Sequence, residues 1–226
     1  YMMGGIRANA NGASVGGVGD GSPENGIVGL FTAGQAMGGV FGANRLGSTS
    51  LTEGAVFGAR SGRAAAAHAR QTQKTKNDDE FSAVLNATRA KFGHEGSKAA
   101  ARLKLELQSA SWANIGPVRS EERLSVMDKL LDRLERELED VAIPDYAEWN
   151  QAFIEYEELR NLLATARLVS AAARERDGSL GGHVRLDGGE ISAFSQPYST
   201  VVANTGEGWR VSRTVRPRTP SKAIVS

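Results

Sequence analysis

The chain has 226 residues, 40% of them apolar and 23% charged, and 27 Lys and Arg against 26 Asp and Glu leave a net charge of +1. That balance argues against a dedicated nucleic-acid binder, which needs a clear basic excess to meet phosphate. The absence of Cys removes disulfides, thiolate nucleophiles and Cys-held iron–sulfur clusters from this chain.

No apolar run approaches the roughly 18–20 residues that span a bilayer, and Tyr1 is not followed by a charged and then apolar leader. A soluble chain, or one peripheral on a membrane assembly, is expected. The first thirty residues read as the middle of a domain. The chain is therefore expected to have lost its beginning through processing, splitting or incomplete coverage.

Residues 1–70 hold most of the glycines. Gly16, Gly17, Gly19 and Gly21 bracket Asp20 in a turn-rich stretch. Ile27, Val28, Leu30 and Phe31 predict a short buried strand that ends at Gly34. A helix is expected from about Ser50 through Ala69, capped by Ser50 and carried by the Ala64–Ala67 run.

Residues 71–180 change character. Gln71 to Asp79 reads as a polar linker, after which Phe81, Val84, Leu85 and Thr88 fall at helical spacing. Leu103, Leu107 and Ala110 suggest a second helix in this region. Leu124, Met127, Leu131, Leu134, Leu138 and Val141 form the clearest stripe, with Ser120 as cap, Glu121 and Glu122 at the positive dipole end, and Pro144 as stop. A last helix from about Ala147 to Arg174 places Trp149, Phe153, Tyr156, Leu163, Ala166 and Val169 on one face. The repeated faces predict a three- or four-helix bundle.

Residues 181–226 form a third region. Thr200 to Ala203 and Trp209 to Val215 flank Gly206-Glu207-Gly208, a hairpin pattern. Arg210, Arg213, Arg216, Arg218 and Lys222 make a basic tail, read either as a solvated end or as a dock for an acidic partner.

The chemistry-bearing stretch is Gly29-Leu30-Phe31-Thr32-Ala33-Gly34-Gln35, followed by Gly38-Gly39-Val40-Phe41-Gly42-Ala43-Asn44-Arg45-Leu46-Gly47-Ser48-Thr49-Ser50-Leu51. Glycines let backbone approach a flat ligand, and a helix N-terminus aims free N–H groups at an anion. Arg45 adds a planar fork for carboxylate or phosphate. The residues alone leave two readings open: an anion or cofactor corner, or a tight connection with a surface arginine. His68, His94 and His183 lack paired ligand spacing, so no metal site is expected.

This stretch resembles the hallmark of the succinate dehydrogenase/fumarate reductase flavoprotein family, which includes L-aspartate oxidase: G-L-[FY]-A-x-G-E, a glycine loop, then H-G-A-N-R-L-G-x-N-S-L. Tyr1-Met2-Met3-Gly4-Gly5-Ile6 resembles the family's H-Y-x-M-G-G-I, entered after its histidine. Leu107-Gln108, Trp112, Gly116 and Arg119-Ser120-Glu121-Glu122 resemble a later L-Q…W-x-x-x-G-x-x-R-x-E-E segment, and Gly181-Gly182-His183-Val184-Arg185 is similar to R-G-A-H-x-R. Departures are Phe41 for His, Gln35 for Glu, Thr49 for Asn, and Leu180 for Arg.

The resemblance implies the α/β C-terminal portion of an FAD-binding domain (1–70), a helical bundle (71–180) and a short β-containing C-terminal segment (181–226). It implies FAD as cofactor, with Gln35 at the position of a Glu bonded to FAD. Ser50 and Leu51 would offer backbone N–H groups to the flavin, and Arg45 would hold a carboxylate of the dicarboxylate substrate. The implied activity interconverts succinate and fumarate by hydride transfer at FAD, passing electrons to an iron–sulfur subunit. Membrane anchor subunits are the further implied partners, on the cytoplasmic or matrix face of an inner membrane.

The G-x-G-x-x-G fingerprint is not found, since Gly17, Gly19 and Gly21 have the wrong spacing and no helix after them. The flavin-binding portion is therefore expected in cis or as a separate chain, and this segment alone is expected to be inactive. L-aspartate oxidase chemistry is the near alternative, and a non-catalytic split-subunit assembly module is the other.

Overall fold

The computed structural model describes residues 3–16, 26–72, 78–189, 198–204 and 208–215. Its elements are a 3-10 turn at Gly34–Ala36, helices α1 (Thr49–Gln71), α2 (Asp78–Arg89), α3 (Ala100–Asn114), α4 (Glu121–Leu138) and α5 (Gln151–Glu175), and strands β1 (Val118–Arg119), β2 (Val184–Arg185), β3 (Tyr198–Asn204) and β4 (Trp209–Val215). The chain divides into two compact units: one of residues 1–74, 178–184 and 189–226, the other of residues 75–177 and 185–188.

In the first unit, short backbone segments pair by single bridges. Ile6 pairs with Met37, Ala8 with Ser14, and Ala13 with Phe31. The Ile6 N–H donates to Ala36 O at 2.8 Å and the Gly38 N–H to Ile6 O at 3.0 Å. These pairings leave no side-chain room, because a Cβ on Gly5 would lie 2.5 Å from Ala36 O. The buried strand expected over Ile27–Phe31 does not form. Val28 and Gly29 make a turn, Val28 is 85% exposed, and only Phe31 is bridged. Gly29 at φ +82° reverses the chain where an extended strand would need negative φ.

Helix α1 begins one residue earlier than expected and extends to Gln71. Its cap position is Ser48 rather than Ser50, at φ +66° and with no side-chain hydrogen bond to the helix end. The hairpin forms as expected, with β3 and β4 antiparallel from Tyr198 opposite Val215 to Asn204 opposite Trp209.

The second unit is a three-helix core with α2 as a satellite. Leu103 and Leu107 of α3, Leu124, Met127, Leu131 and Leu134 of α4, and Leu159, Leu163, Ala166 and Ala173 of α5 make one cluster, closed by Ile115, Val141 and Ile143. The α4 stripe is buried as its spacing requires. Ser120 Oγ accepts from the Arg123 N–H at 3.3 Å, as a cap should.

Three sequence expectations need correction here. Helix α4 ends at Leu138, well before Pro144, because residues 140–143 turn to pair with residues 93–98. In that pairing Lys98 N donates to Asp140 O and Ala142 N to Lys98 O, each at 3.0 Å. Trp149 lies outside α5 at φ +55° and is 95% exposed. The helix starts instead at Gln151, capped by Asn150, whose Oδ1 accepts from the Phe153 N–H at 3.0 Å. Phe81 and Val84 of α2 point to solvent, so that helix has the spacing of a core helix without the burial. Tyr1, Met2, Gly17, Gly19, Asp20, Gly21, Gly206, Glu207, Arg216, Arg218 and Lys222 lie outside the described residues.

Candidate functional site

The residues singled out by sequence, Gln35, Arg45, Ser50 and Leu51, all lie in the first unit. Gln35 is exposed on the 3-10 turn, which packs against α1. This turn is held by the Met37 N–H donating to Gly34 O at 2.9 Å, and Gly34 takes φ +63°. Arg45 is half-buried in the loop before α1, where its N–H donates to Asn44 Oδ1 at 2.9 Å. Thr49 Oγ1 donates to Leu46 O at 2.8 Å and tightens the same loop into the helix.

Ser50 is half-buried in the first turn of α1. The Leu51 side chain is 79% exposed, and its N–H donates to Ser48 O at 3.2 Å. The first helical N–H groups thus meet no side-chain cap, and their positive partial charge is open to an anionic group. The helix axis is pinned further along, where Ser61 Oγ donates to Thr32 O at 2.7 Å.

A Cβ added at Gly4, Gly34, Gly42 or Gly47 would meet nothing within 4 Å, so backbone is bare on its open side. The helix end without a side-chain cap and the arginine in the loop before it are the kinds of donor that a carboxylate or a flavin edge would need.

Sequence reasoning missed Glu53. It sits on α1 one turn beyond Ser50 and is 5% exposed, and neither carboxylate oxygen has a hydrogen-bond partner among the described residues. Ser50 and Glu53 are three residues apart, which puts them on one side of the helix.

The later motifs turn out to hold the fold. In the second unit, Arg119 Nε and Nη2 donate to Ile115 O at 3.3 and 3.0 Å. Burial pushes its pKa down. Arg185 donates from Nε to Asp187 Oδ1 at 2.7 Å and from Nη2 to Asp187 Oδ2 at 3.0 Å. Asp187 Oδ2 also accepts from the Glu121 N–H at 2.6 Å, closing the first turn of α4. The Arg185 guanidinium, then that backbone N–H, holds the Asp187 carboxyl far below the usual carboxylate range.

The three histidines do not converge. His68 stacks at a tilt on Phe31 with centroids 6.0 Å apart, His94 Nδ1 lies 2.9 Å from Val141 O, and His183 is buried. No group of three potential metal ligands occurs among the described residues, and none of their helices is long and apolar enough to cross a membrane.

Residues 104–212 match the family described as "Fumarate reductase flavoprotein C-term". Over 191 residues the chain is 32% identical to a fumarate reductase (CoM/CoB) chain of Methanothermobacter marburgensis, covering 83% of this chain and 32% of that protein. It is 34% identical to the mitochondrial succinate dehydrogenase flavoprotein subunit of Oryza sativa (83% and 30% covered). The chloroplastic L-aspartate oxidase of Arabidopsis thaliana is 33% identical (83% and 28% covered). Among solved structures, an E. coli quinol fumarate reductase chain superposes with a TM-score of 0.81 at 25% identity, over 95% of this chain and 36% of that one. The chain spans about a third of the length of the curated relatives it matches. In sequence and in fold, the chain matches the C-terminal part of the succinate dehydrogenase/fumarate reductase flavoprotein family.

Proposed function

We propose that this chain forms part of an FAD-dependent oxidoreductase that interconverts succinate and fumarate, and that it supplies the substrate-carboxylate and flavin-edge groups of the active site. The observation that carries this reading is the uncapped N-terminus of α1 beside the Arg45 loop, within the residues that carry the family hallmark. When bound, FAD supplies hydride acceptance and donation.

This chain's residues do the positioning. Arg45 binds a substrate carboxylate through paired N–H donors, which orients the carbon skeleton. The Ser50 and Leu51 N–H groups and the α1 dipole stabilise negative charge at the flavin edge. Gln35 donates or accepts at the cofactor where a Glu would only accept, so the cofactor's hydrogen bonding differs from that of Glu-bearing relatives.

The whole enzyme passes electrons to an iron–sulfur subunit while lying peripherally against membrane anchor subunits, at the cytoplasmic or matrix face. The likeness to a quinol fumarate reductase chain supports this placement. A second reading, L-aspartate oxidation, is supported by the comparable identity to plant L-aspartate oxidase. The functional boundaries proposed are 1–70, 71–180 and 181–226.

The test is the purified protein that carries this sequence, taken at its denatured intact mass with its visible spectrum. It is then assayed with succinate, fumarate and L-aspartate. Flavin absorbance with succinate or fumarate turnover is the expected result. Turnover of L-aspartate alone would transfer the assignment to the second reading. Flavin absent from every preparation would overturn both.

A further inference from the structure

We propose that Thr49 is a positioning residue, whose hydroxyl ties the arginine loop to the first turn of α1 and so fixes the Arg45 fork for a substrate carboxylate. The inference rests on the flavoprotein reading above and deepens it. Thr49 opens α1, and its Oγ1 donates to Leu46 O at 2.8 Å. Leu46 follows Arg45 directly, so this bond fastens the backbone one residue beyond the arginine. On the near side, the Arg45 N–H donates to Asn44 Oδ1 at 2.9 Å. The arginine is thus held from both directions along the chain, and the farther hold is made by the helix itself.

The turn between Leu46 and Thr49 needs such a hold. Ser48 lies at φ +66° and ψ −15°, in the left-handed region that a residue with a Cβ enters only at a cost. Conformations of this kind persist where the surroundings over-determine them, and the Thr49 hydroxyl closes the chain across Ser48. Leu46 and Ser48 are exposed and Thr49 is half-buried, so the bond lies near water. Removing a bond in that setting takes little from the stability of the fold. Its effect falls on the loop, where a long guanidinium-bearing side chain magnifies any backbone drift. A carboxylate clamp displaced by a fraction of its working distance loses much of its orienting power.

The experiment uses the full flavoprotein and malonate, a dicarboxylate that lacks the adjacent carbon pair needed for hydride transfer. Calorimetry gives the malonate Kd, read beside flavin content, Tm and kcat/KM for succinate. Thr49→Val keeps the shape and loses the hydroxyl. It should weaken malonate binding and lower kcat/KM about 5-fold, the size of one lost hydrogen bond, with flavin content and Tm nearly unchanged. Thr49→Ser keeps the hydroxyl and should restore both values to within about twofold of wild type. In the Arg45→Ala background, Thr49→Val should lower kcat/KM no further, because Thr49 acts through Arg45. An equal loss in both backgrounds would overturn the proposal and leave the flavoprotein reading standing. A lowered Tm with an unchanged malonate Kd would do the same, since it would make Thr49 merely structural. Wild-type protein that binds no malonate would remove Arg45 from a carboxylate site, and Thr49 with it.

Discussion

Gly12 and Ser61 meet too closely for a side chain at Gly12: a Cβ there would lie 1.8 Å from Ser61 Oγ, and Gly12 holds φ +75°. The same Ser61 hydroxyl donates to Thr32 O, and Thr32 N donates in turn to Gly12 O at 2.8 Å. One glycine thus lets α1 lie directly on the loop that leads to Gln35. The helix end that carries Ser50 is placed by this seat.

Gly12→Ala should therefore destabilise the flavoprotein, by about 1–2 kcal/mol from the left-handed backbone alone, with the clash added. Ser61→Ala should cost about 1 kcal/mol for its hydrogen bond. Combining Gly12→Ala with Ser61→Gly should recover the share of the clash that Ser61 makes, while the 2.7 Å approach of the new Cβ to Thr32 O remains, giving a coupling in a thermal-unfolding double-mutant cycle. Strict additivity would refute the seat.

Arg45→Ala should lower kcat/KM for the dicarboxylate by about 10- to 100-fold, the value of a hydrogen-bonded charge pair, with flavin content unchanged. Arg45→Lys keeps the charge and loses the fork, so it should recover only part of the loss. Steady-state kinetics beside the flavin spectrum decide this. Equal activity in wild type and Arg45→Ala would remove the residue from substrate binding.

Asp187 gives the fold an acid limit. Its folded pKa is depressed by Arg185 and by the Glu121 N–H, so its contribution is fully present above the ordinary carboxylate pKa of about 3.9. That contribution is lost as pH falls towards the lower folded value. Asp187→Asn should therefore lower Tm at pH 7 and flatten the fall of Tm below pH 4. A variant whose acid profile runs parallel to wild type would show that the pair is idle.

Asn150 caps α5 and ties down the segment before it. Its Oδ1 caps the Phe153 N–H, and its Nδ2 donates to Pro144 O at 3.0 Å and to Tyr146 O at 2.7 Å. Asn150→Ala should cost about 1–2 kcal/mol for the cap, and more because two carbonyls lose a donor. Trp149→Ala, by contrast, should leave Tm nearly unchanged, since that ring lies in solvent. Comparable losses in the two variants would contradict this start to the helix.

Sequence alone determined the helical register of the second unit. Leu124, Met127, Leu131 and Leu134 recur every three or four residues, and a 3.6-residue turn must bring them to one face. Ser120 before two acids likewise fixed the start of α4, because capping is a local interaction. The Arg45 stretch was legible as a motif, since glycines and a lone cation stand out in any neighbourhood.

Other features depended on partners distant in sequence. Ile27 to Phe31 has the composition of a strand, yet it found a partner only at Phe31. Phe81 and Trp149 look like core residues, but periodicity says only that a face is apolar and never what covers it. Helix α4 stops at Leu138 because residues 93–98 are present to pair with the chain beyond it. Nothing in the sequence around Glu53 marks it as buried, and its 5% exposure is set by what α1 packs against in the fold. Local patterns encode local geometry, while burial and pairing are properties of the whole packed chain.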